Sequence, residues 1–446
     1  MMMTTETKPL PQGWELIKLG QFVDSEKGKK PKYQQTTKDE KFNIPYVDIQ
    51  AFEKKIVSFW TNGEGCRFCY DSDFLMVWDG SRFGLVGKGL NGALGSTLVR
   101  LNFPYTYNPY AFYFLRSKFL DINSKPKGTG TPHVNPDLVW NYNFPLPPLN
   151  EQKRIVAKIE ALFSEIDKGV EELKTAQTKA KQYRQALLKH AFSGQLTADW
   201  RKEQGVSDAW EEKPLGELGF CHGGGTPTKS NPDFWDNGNI LWVTPKDMKA
   251  QKITDSILKI TEEGLKSSSA KLSSDKALLF VLRSGILRRT LPIAIVEQPV
   301  TVNQDLLALN LDEENSVYYL YWYSVFSEKH IREICAKDGT TVESVDSAKL
   351  KLYSVSIPSL PEQEEIVRRL EAQFSVLDVL EADLATNLKK AETLKQAVLK
   401  KAFAGELVPQ DPTDEPASEL LKRIQAEKAM QAKTPKAPRK KKATTT

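Results

Sequence analysis

The sequence predicts a mixed α/β (α+β) chain with an internal pseudo-two-fold repeat, in which two globular domains are separated by a long antiparallel two-helix coiled coil. Three observations carry that prediction. A stretch of about 50 residues is written twice, each copy carries a helical apolar period, and the segment before each copy holds short β-prone runs bounded by Gly, Pro and polar residues.

The duplication is direct. The first copy opens at Pro147-Pro148-Leu149-Asn150-Glu151-Gln152 and closes at Lys189-His190-Ala191-Phe192-Ser193-Gly194. The second opens at Pro358-Ser359-Leu360-Pro361-Glu362-Gln363 and closes at Lys400-Lys401-Ala402-Phe403-Ala404-Gly405, at a constant offset of 211 residues. Roughly half of the aligned positions are identical, against on the order of one in sixteen expected by chance.

Each copy reads as one long helix. Alternating steps of four and three select Ile155, Ile159, Leu162, Ile166, Gly169, Leu173, Ala176, Ala180, Tyr183 and Leu187 in the first copy. The same frame selects Ile366, Leu370, Gln373, Leu377, Leu380, Leu384, Asn387, Ala391, Leu394 and Val398 in the second. This is a heptad seam, with prolines before each helix and a glycine after it. An isolated amphipathic helix is marginal, so two seams of equal length predict mutual burial, antiparallel because the chain travels out and returns. Two ordinary core helices are the alternative.

Composition narrows the class. The chain has 446 residues, 40% of them apolar, with nine Trp and four Cys. That predicts folded cores in more than one domain and a reducing, cytoplasmic compartment. No run reaches membrane-span length, and the polar start lacks a signal-peptide core, so no membrane association is expected. The net charge is +5, but nine basic and five acidic residues follow Val408, so the body is nearly neutral.

The predicted boundaries follow. Residues 1–144 form a first globular domain, with strands over 44–49, 74–78, 97–101 and 142–146, a helix over 110–119, and an exposed polar turn over 125–135. Residues 145–196 are the first spacer helix, and 197–209 a charged connector. Residues 210–356 form a second domain that echoes the first: Trp210 to Gly216 matches Trp14 to Gly20, 240–243 matches 44–47, 277–282 matches 74–78, and 339–342 matches 130–134. Residues 357–408 are the second spacer helix. A flexible charged tail with a short helix over 417–432 fills 409–446.

Catalytic signatures are missing from the sequence. Gly87-Lys88 lacks the remaining Walker A residues, and no GxGxxG follows a strand. Asn231-Pro232-Asp233-Phe234 reads as a turn, and Cys66-Arg67-Phe68-Cys69 is a lone CxxC better read as thiols than as a zinc site. Four His show neither triad nor metal spacing. No catalytic residue, metal site or cofactor is therefore predicted in this chain.

The loops suit a nucleic acid, since Gly, Ser, Thr, Lys and Arg approach phosphates while Arg, Asn, Gln and Lys reach base edges. Candidates in the first domain are Lys30, Tyr33, Ser81, Arg82, Lys88, Thr129, Thr131, His133 and Asn135. In the second they are Gly224, Gly225, Thr226, Thr228, Lys229, Lys246, Arg283, Ser284, Arg288, Arg289, Asn303 and Gln304. A solvated surface role is the alternative for each one singly.

With its duplicated proline-to-Glu-Gln openings and Ala-Phe-x-Gly closings, the sequence resembles the specificity (S) subunits of type I restriction-modification systems. The resemblance spans nearly the whole chain. It implies that each domain is a target-recognition domain reading one half of a bipartite, asymmetric site in double-stranded DNA, while the helix pair sets the gap. It also implies two modification (methyltransferase) subunits and further restriction (translocase and nuclease) subunits as partners. S-adenosylmethionine, ATP and Mg are then expected on those partners, where adenine-N6 methylation and cleavage reside. Partner contacts are expected at Glu151, Gln152, Phe163, Phe192, Glu362, Gln363, Phe374 and Phe403. A coiled-coil scaffold without sequence-specific DNA binding is the competing reading.

Overall fold

A computed structural model describes residues 9–128, 130–207, 209–337 and 343–433, with side chains through residue 427. The chain divides into two units, Met1–Glu172 with Asn387–Thr446, and Leu173–Thr386. Each is built the same way.

In the first unit, apolar strand Phe74–Val77, buried on both faces, lies between Leu98–Asn102 and Val86–Lys88. Asp24–Lys27 adds to the outer side of Leu98–Asn102, and every pairing is antiparallel. In the second unit Ala277–Val281 takes the central place, between Leu306–Leu311 and Ile293–Val296, with Gly219–Gly223 outside. Continuous apolar runs are what doubly covered strands require. A second sheet pairs Ile44–Val47 in parallel with Gly92–Leu94, and likewise Ile240–Val243 with Thr301–Val302. A third, two-stranded sheet joins Glu15–Lys18 to Asn143–Leu146, and Glu211–Pro214 to Ser354–Ile357. The first strand stops at Val47, short of 49, because Asp48 caps a helix over Ile49–Lys54 by accepting from the Ala51 amide. The aromatic segment forms helix Asn108–Ser117, followed by Phe119–Asn123.

The long helices are Leu149–Phe192 and Leu360–Phe403. Both begin at the same kind of joint. Gln152 Nε2 donates to the Pro147 carbonyl, and its Oε1 accepts from the Tyr107 amide. Gln363 repeats this with the Pro358 carbonyl and the Ser316 amide. Glu151 accepts from Trp14 Nε1 at 3.0 Å, and Glu362 from Trp210 Nε1 at 3.3 Å. Glu362 also accepts from Arg201 Nη1 at 2.5 Å and Thr197 Oγ1 at 2.7 Å, whereas Glu151 keeps one buried oxygen with no partner. Burial pushes the Glu151 carboxyl above its ordinary range.

These joints give the residues expected at partner contacts roles within their own units. Glu151, Gln152, Glu362 and Gln363 are buried inside their own units, as are Phe163, Phe192 and Phe374. Phe403 is partly buried against the rings of Tyr110 and Phe114. They tie each helix to its own domain.

Within each unit the start of one helix packs beside the end of the other. Lys395 Nζ meets Asp167 Oδ1 at 2.5 Å in the first, and Arg184 Nη2 meets Asp378 Oδ1 at 2.5 Å in the second. Partner numbers add to the same total in both pairs, as antiparallel register demands. The heptad frame holds for Ile155, Ile159, Leu187, Ile366, Leu370, Leu377, Leu384 and Val398, which are buried. It fails at matching positions in the two copies: Tyr183 and Leu394 face solvent, and the next residues, Arg184 and Lys395, turn inward. The reason is a ring. Arg184 lies over Phe374 at 4.6 Å and Lys395 over Phe163 at 5.7 Å, so each cation meets an aromatic face and a carboxylate together. Gln373, Asn387 and Leu380 are likewise exposed.

The charged connector and the first half of the tail are ordered, and the short helix expected at 417–432 is present at Ala417–Lys433. Within 197–209, Ala198–Gln204 is helical, and Arg201 is buried to close the Glu362 joint. After Gly405, Asp414 pairs with Arg154 at 2.6 Å, the Ala417 amide donates to the Gly13 carbonyl, and helix Ala417–Lys433 buries Ala417 and Ile424 on the first unit. The tail from 409 is thus docked through its first half, because the helix end needs a cover; residues 434–446 lie outside the described residues. The expected match of 339–342 to 130–134 also lies outside them. Hydrogen bonds place the correspondence three residues later, with the Val134 amide donating to Trp78 and the Val345 amide to Leu282, both at 2.8 Å.

Candidate nucleic-acid interface

In the second unit, the end of strand Ala277–Val281 and the turn before Leu306–Leu311 open onto a cleft of about 720 Å³. Thr226, Lys229, Lys246, Arg283, Ser284, Asn303 and Gln304, scattered over 79 positions of sequence, all line it. Two carboxylates shape it. Asp247 accepts from the Thr244 amide and hydroxyl and from the Ile257 amide, fixing the loop that carries Lys246. Asp305 receives Arg283 Nε at 2.7 Å and Nη2 at 2.6 Å, and is itself held by Asn303 Nδ2 at 3.0 Å. Thr226 donates to Gln304 Oε1 at 2.6 Å. Among the described residues no carboxylate pairs with Lys229 or Lys246, so both cations are available to a polyanion.

The remaining candidates and Ser284 carry structural roles or lie exposed on their loops. Any side chain at Gly224 would lie 1.7 Å from the Val302 carbonyl, and at Gly225 2.2 Å from Ser269, so these glycines answer to close backbone approach. Thr228 is exposed, and its carbonyl accepts from Trp235 Nε1. Ser284 caps a short 3-10 turn, Arg288 pairs with Glu343 at 3.0 Å, and Arg289 is exposed beyond that turn.

In the first unit the candidates disperse. Asn135 caps helix Pro136–Trp140. Arg82 pairs with Glu53 at 2.8 Å, and the Ser81 carbonyl accepts from Asn123. Lys88 faces Phe74, at the opposite end of strand Phe74–Val77 from Asp79. Lys30, Tyr33 and Thr131 are exposed on loops, Tyr33 beneath the Lys32 ammonium; Thr129 lies outside the described residues. His133 is different. Its Nδ1 is 2.6 Å from Asp79 Oδ1, and Lys27 Nζ is 2.7 Å from Asp79 Oδ2. Asp79 and Lys27 were not legible as site residues, because the contact joins positions 54 apart in the chain.

The lone CxxC consists of a half-buried Cys66 and a buried Cys69 whose thiol donates to the Leu90 carbonyl; burial pushes that thiol up to about 11. Asn231 accepts from the Asp233 amide at the start of a 3-10 turn, Pro232–Phe234. Among the described residues no helix is long and apolar enough to cross a membrane.

The two-fold build is also what comparison with known proteins finds. Residues 11–175 and 207–390 each match the family model described as the type I restriction modification DNA specificity domain. The chain belongs to that family. This specificity-family chain is 37% identical over 186 residues to the EcoR124I/EcoR124II specificity subunit of Escherichia coli, a match spanning 42% of the chain and 45% of that protein. It is 27% identical over 390 residues to the MjaVIII specificity subunit of Methanocaldococcus jannaschii, covering 83% and 88%. In fold it is similar to a chain of a solved type I R-M system, with a TM-score of 0.67 and 22% identity, over 90% of this chain and all of that one. It is also similar to the HsdS subunit from Thermoanaerobacter tengcongensis, with a TM-score of 0.51 and 23% identity, over 91% and 100%.

Proposed function

We propose that each unit reads one half of a bipartite, asymmetric double-stranded DNA target, and that the paired helices set the gap between the halves. The observation that carries this reading is one framework built twice with different side chains at the same place: Arg283, Asp305 and Gln304 in one unit, Asp79, Thr97 and Ser96 in the other. Identical readers would suit a palindrome; unlike readers suit unlike half-sites. A scaffold without DNA binding is not favoured, since both domains match a DNA specificity family.

Catalysis belongs, in this reading, to partners. Two modification subunits, bringing S-adenosylmethionine, methylate adenine N6, and restriction subunits bring ATP, Mg, translocation and cleavage. With Phe163, Phe192 and Phe374 buried, a modification subunit would dock on apolar residues that the helices leave exposed. Val376, Val379 and Leu380 form such a face, at 66%, 62% and 44% exposure, one turn apart on the second helix. The matching positions in the first copy are Glu165, Lys168 and Gly169, so this face belongs to one unit alone.

The phosphate-binding part of the reading is tested by salt. For the chain assembled with its modification subunits, Lys229→Ala and Lys246→Ala are each expected to weaken binding to target and non-target duplex alike. Each should also reduce the slope of log K against log salt by about 0.9. Unchanged slopes for both variants would remove this cleft from the interface.

A further inference from the structure

The two units place their strands in one register, and the same hydrogen bonds define the same spot in each. The amides of Trp78 and Asp79 donate to the Thr97 carbonyl, and those of Leu282 and Arg283 donate to the Asp305 carbonyl. The Gly80 amide donates to Pro132 at 2.9 Å, and the Ser284 amide to Glu343 at 3.2 Å. Asp79 bridges His133, and Arg283 bridges Ser344, as isolated antiparallel pairs. Position by position, Asp79 therefore stands where Arg283 stands, and His133 where Ser344 stands.

The chemistry at this spot is inverted in charge but alike in design. In the second unit Asp305 takes Nε and one N–H of Nη2, so the outer edge of the guanidinium, Nη1 and the remaining Nη2 N–H, points away from its support. In the first unit Asp79 takes His133 Nδ1 on one oxygen and Lys27 on the other, leaving the far ring nitrogen, Nε2, as the tip. The two tips belong to exposed side chains, with Arg283 at 56% and His133 at 46%, while the carboxylates behind them are largely covered, Asp305 at 22% and Asp79 at 15%. A side chain held from behind loses less freedom on binding, and a base edge is discriminated by a donor or acceptor held in place.

We infer that Arg283 in one reader and His133 in the other, at paired rather than matching positions of the same spot, are specificity-determining residues, and that Asp305 and Asp79 are positioning residues that orient them. The inference rests on the DNA-reading function proposed above. The end-on fork of Arg283 fits O6 and N7 of a guanine in the major groove. Nε2 of His133 makes a single contact to a base edge, so the two half-sites differ at the base read from this position.

The test is adenine-methylation sequencing of cells expressing the full chain with its modification subunits, read position by position. Arg283→Ala is expected to relax a guanine at one position of one half-site, with methylation of substituted sites rising ten-fold or more. His133→Ala should relax one position of the other half only. Asp305→Asn and Asp79→Asn should relax the same positions as their readers more weakly, which a residue acting only on stability would not do. Should an alanine variant abolish methylation altogether, Arg283→Lys and His133→Gln decide: relaxation confined to one position supports the assignment, and an unaltered motif overturns it. Unaltered motifs in both alanine variants overturn it too, while leaving the DNA-reading function standing. A wild-type chain that directs no motif would overturn both.

Discussion

Replacing Arg201 by alanine is expected to lower the unfolding free energy of the second unit by about 3–5 kcal/mol, since it leaves Glu362 buried without its cation. Both side chains are nearly inaccessible, at 8% and 1%, so the carboxylate is left buried with only the Thr197 hydroxyl and the Trp210 indole as its remaining donors. The other copy of the joint behaves in the opposite sense. Glu151 has no cation equivalent to Arg201: the position 211 residues further on is Pro412. Because burial raises the folded-state carboxyl, its contribution to stability is full below the ordinary carboxylate range and is lost as pH rises through the raised value. Glu151→Gln keeps an acceptor for Trp14 and removes that loss, so at neutral pH it should be neutral or stabilising. Denaturant titration of the two variants, followed by unit-specific hydrogen exchange because a chain of two units need not unfold in one step, checks both signs. Equal losses at the two joints would refute the asymmetry.

Lengthening both long helices by one heptad at facing positions, after Thr175 and after Thr386, is expected to change the DNA target without changing either half-site. Seven residues add about 10.5 Å of helix and preserve the seam, so the gap between the halves should grow by up to about three base pairs. Inserting four residues instead, a stutter that a coiled coil takes up by local unwinding, adds only about 6 Å and should change the gap by less, again without changing either half-site. Methylation sequencing of cells carrying the heptad variant reads the outcome directly. The original gap, retained with full activity, would show that the helices do not set the spacing.

Much of this architecture was legible because it is written in local patterns. The long helices follow from the apolar period, the prolines before Leu149 and Leu360, and glycines at φ 75° and 73° after Phe192 and Phe403. The buried strands Phe74–Val77 and Ala277–Val281 follow from unbroken apolar runs. What the pattern missed is long-range. A heptad count selects Tyr183 and Leu394, and nothing near them says that the neighbouring cations will turn inward to rings and carboxylates on the other helix. The repeated Glu-Gln and Phe positions read as partner contacts because their repetition is visible while their hydrogen bonds to Trp14, Tyr107, Trp210 and Ser316 are not. At the cleft, residue type alone found Arg283, Asn303 and Gln304, but Asp305 and Asp79 gain meaning only from what they touch. Glycines at 224 and 225 were drawn into the interface by composition, when the backbone of Val302 and the Ser269 side chain already account for them.

The central claim, that two unlike readers in one chain specify two unlike half-sites, is tested most directly by mapping adenine methylation in cells with and without this chain, its modification partners present in both. The account predicts a bipartite, non-palindromic N6-methyladenine motif that vanishes when the chain is deleted. A palindromic motif, or a motif that survives the deletion, would contradict it.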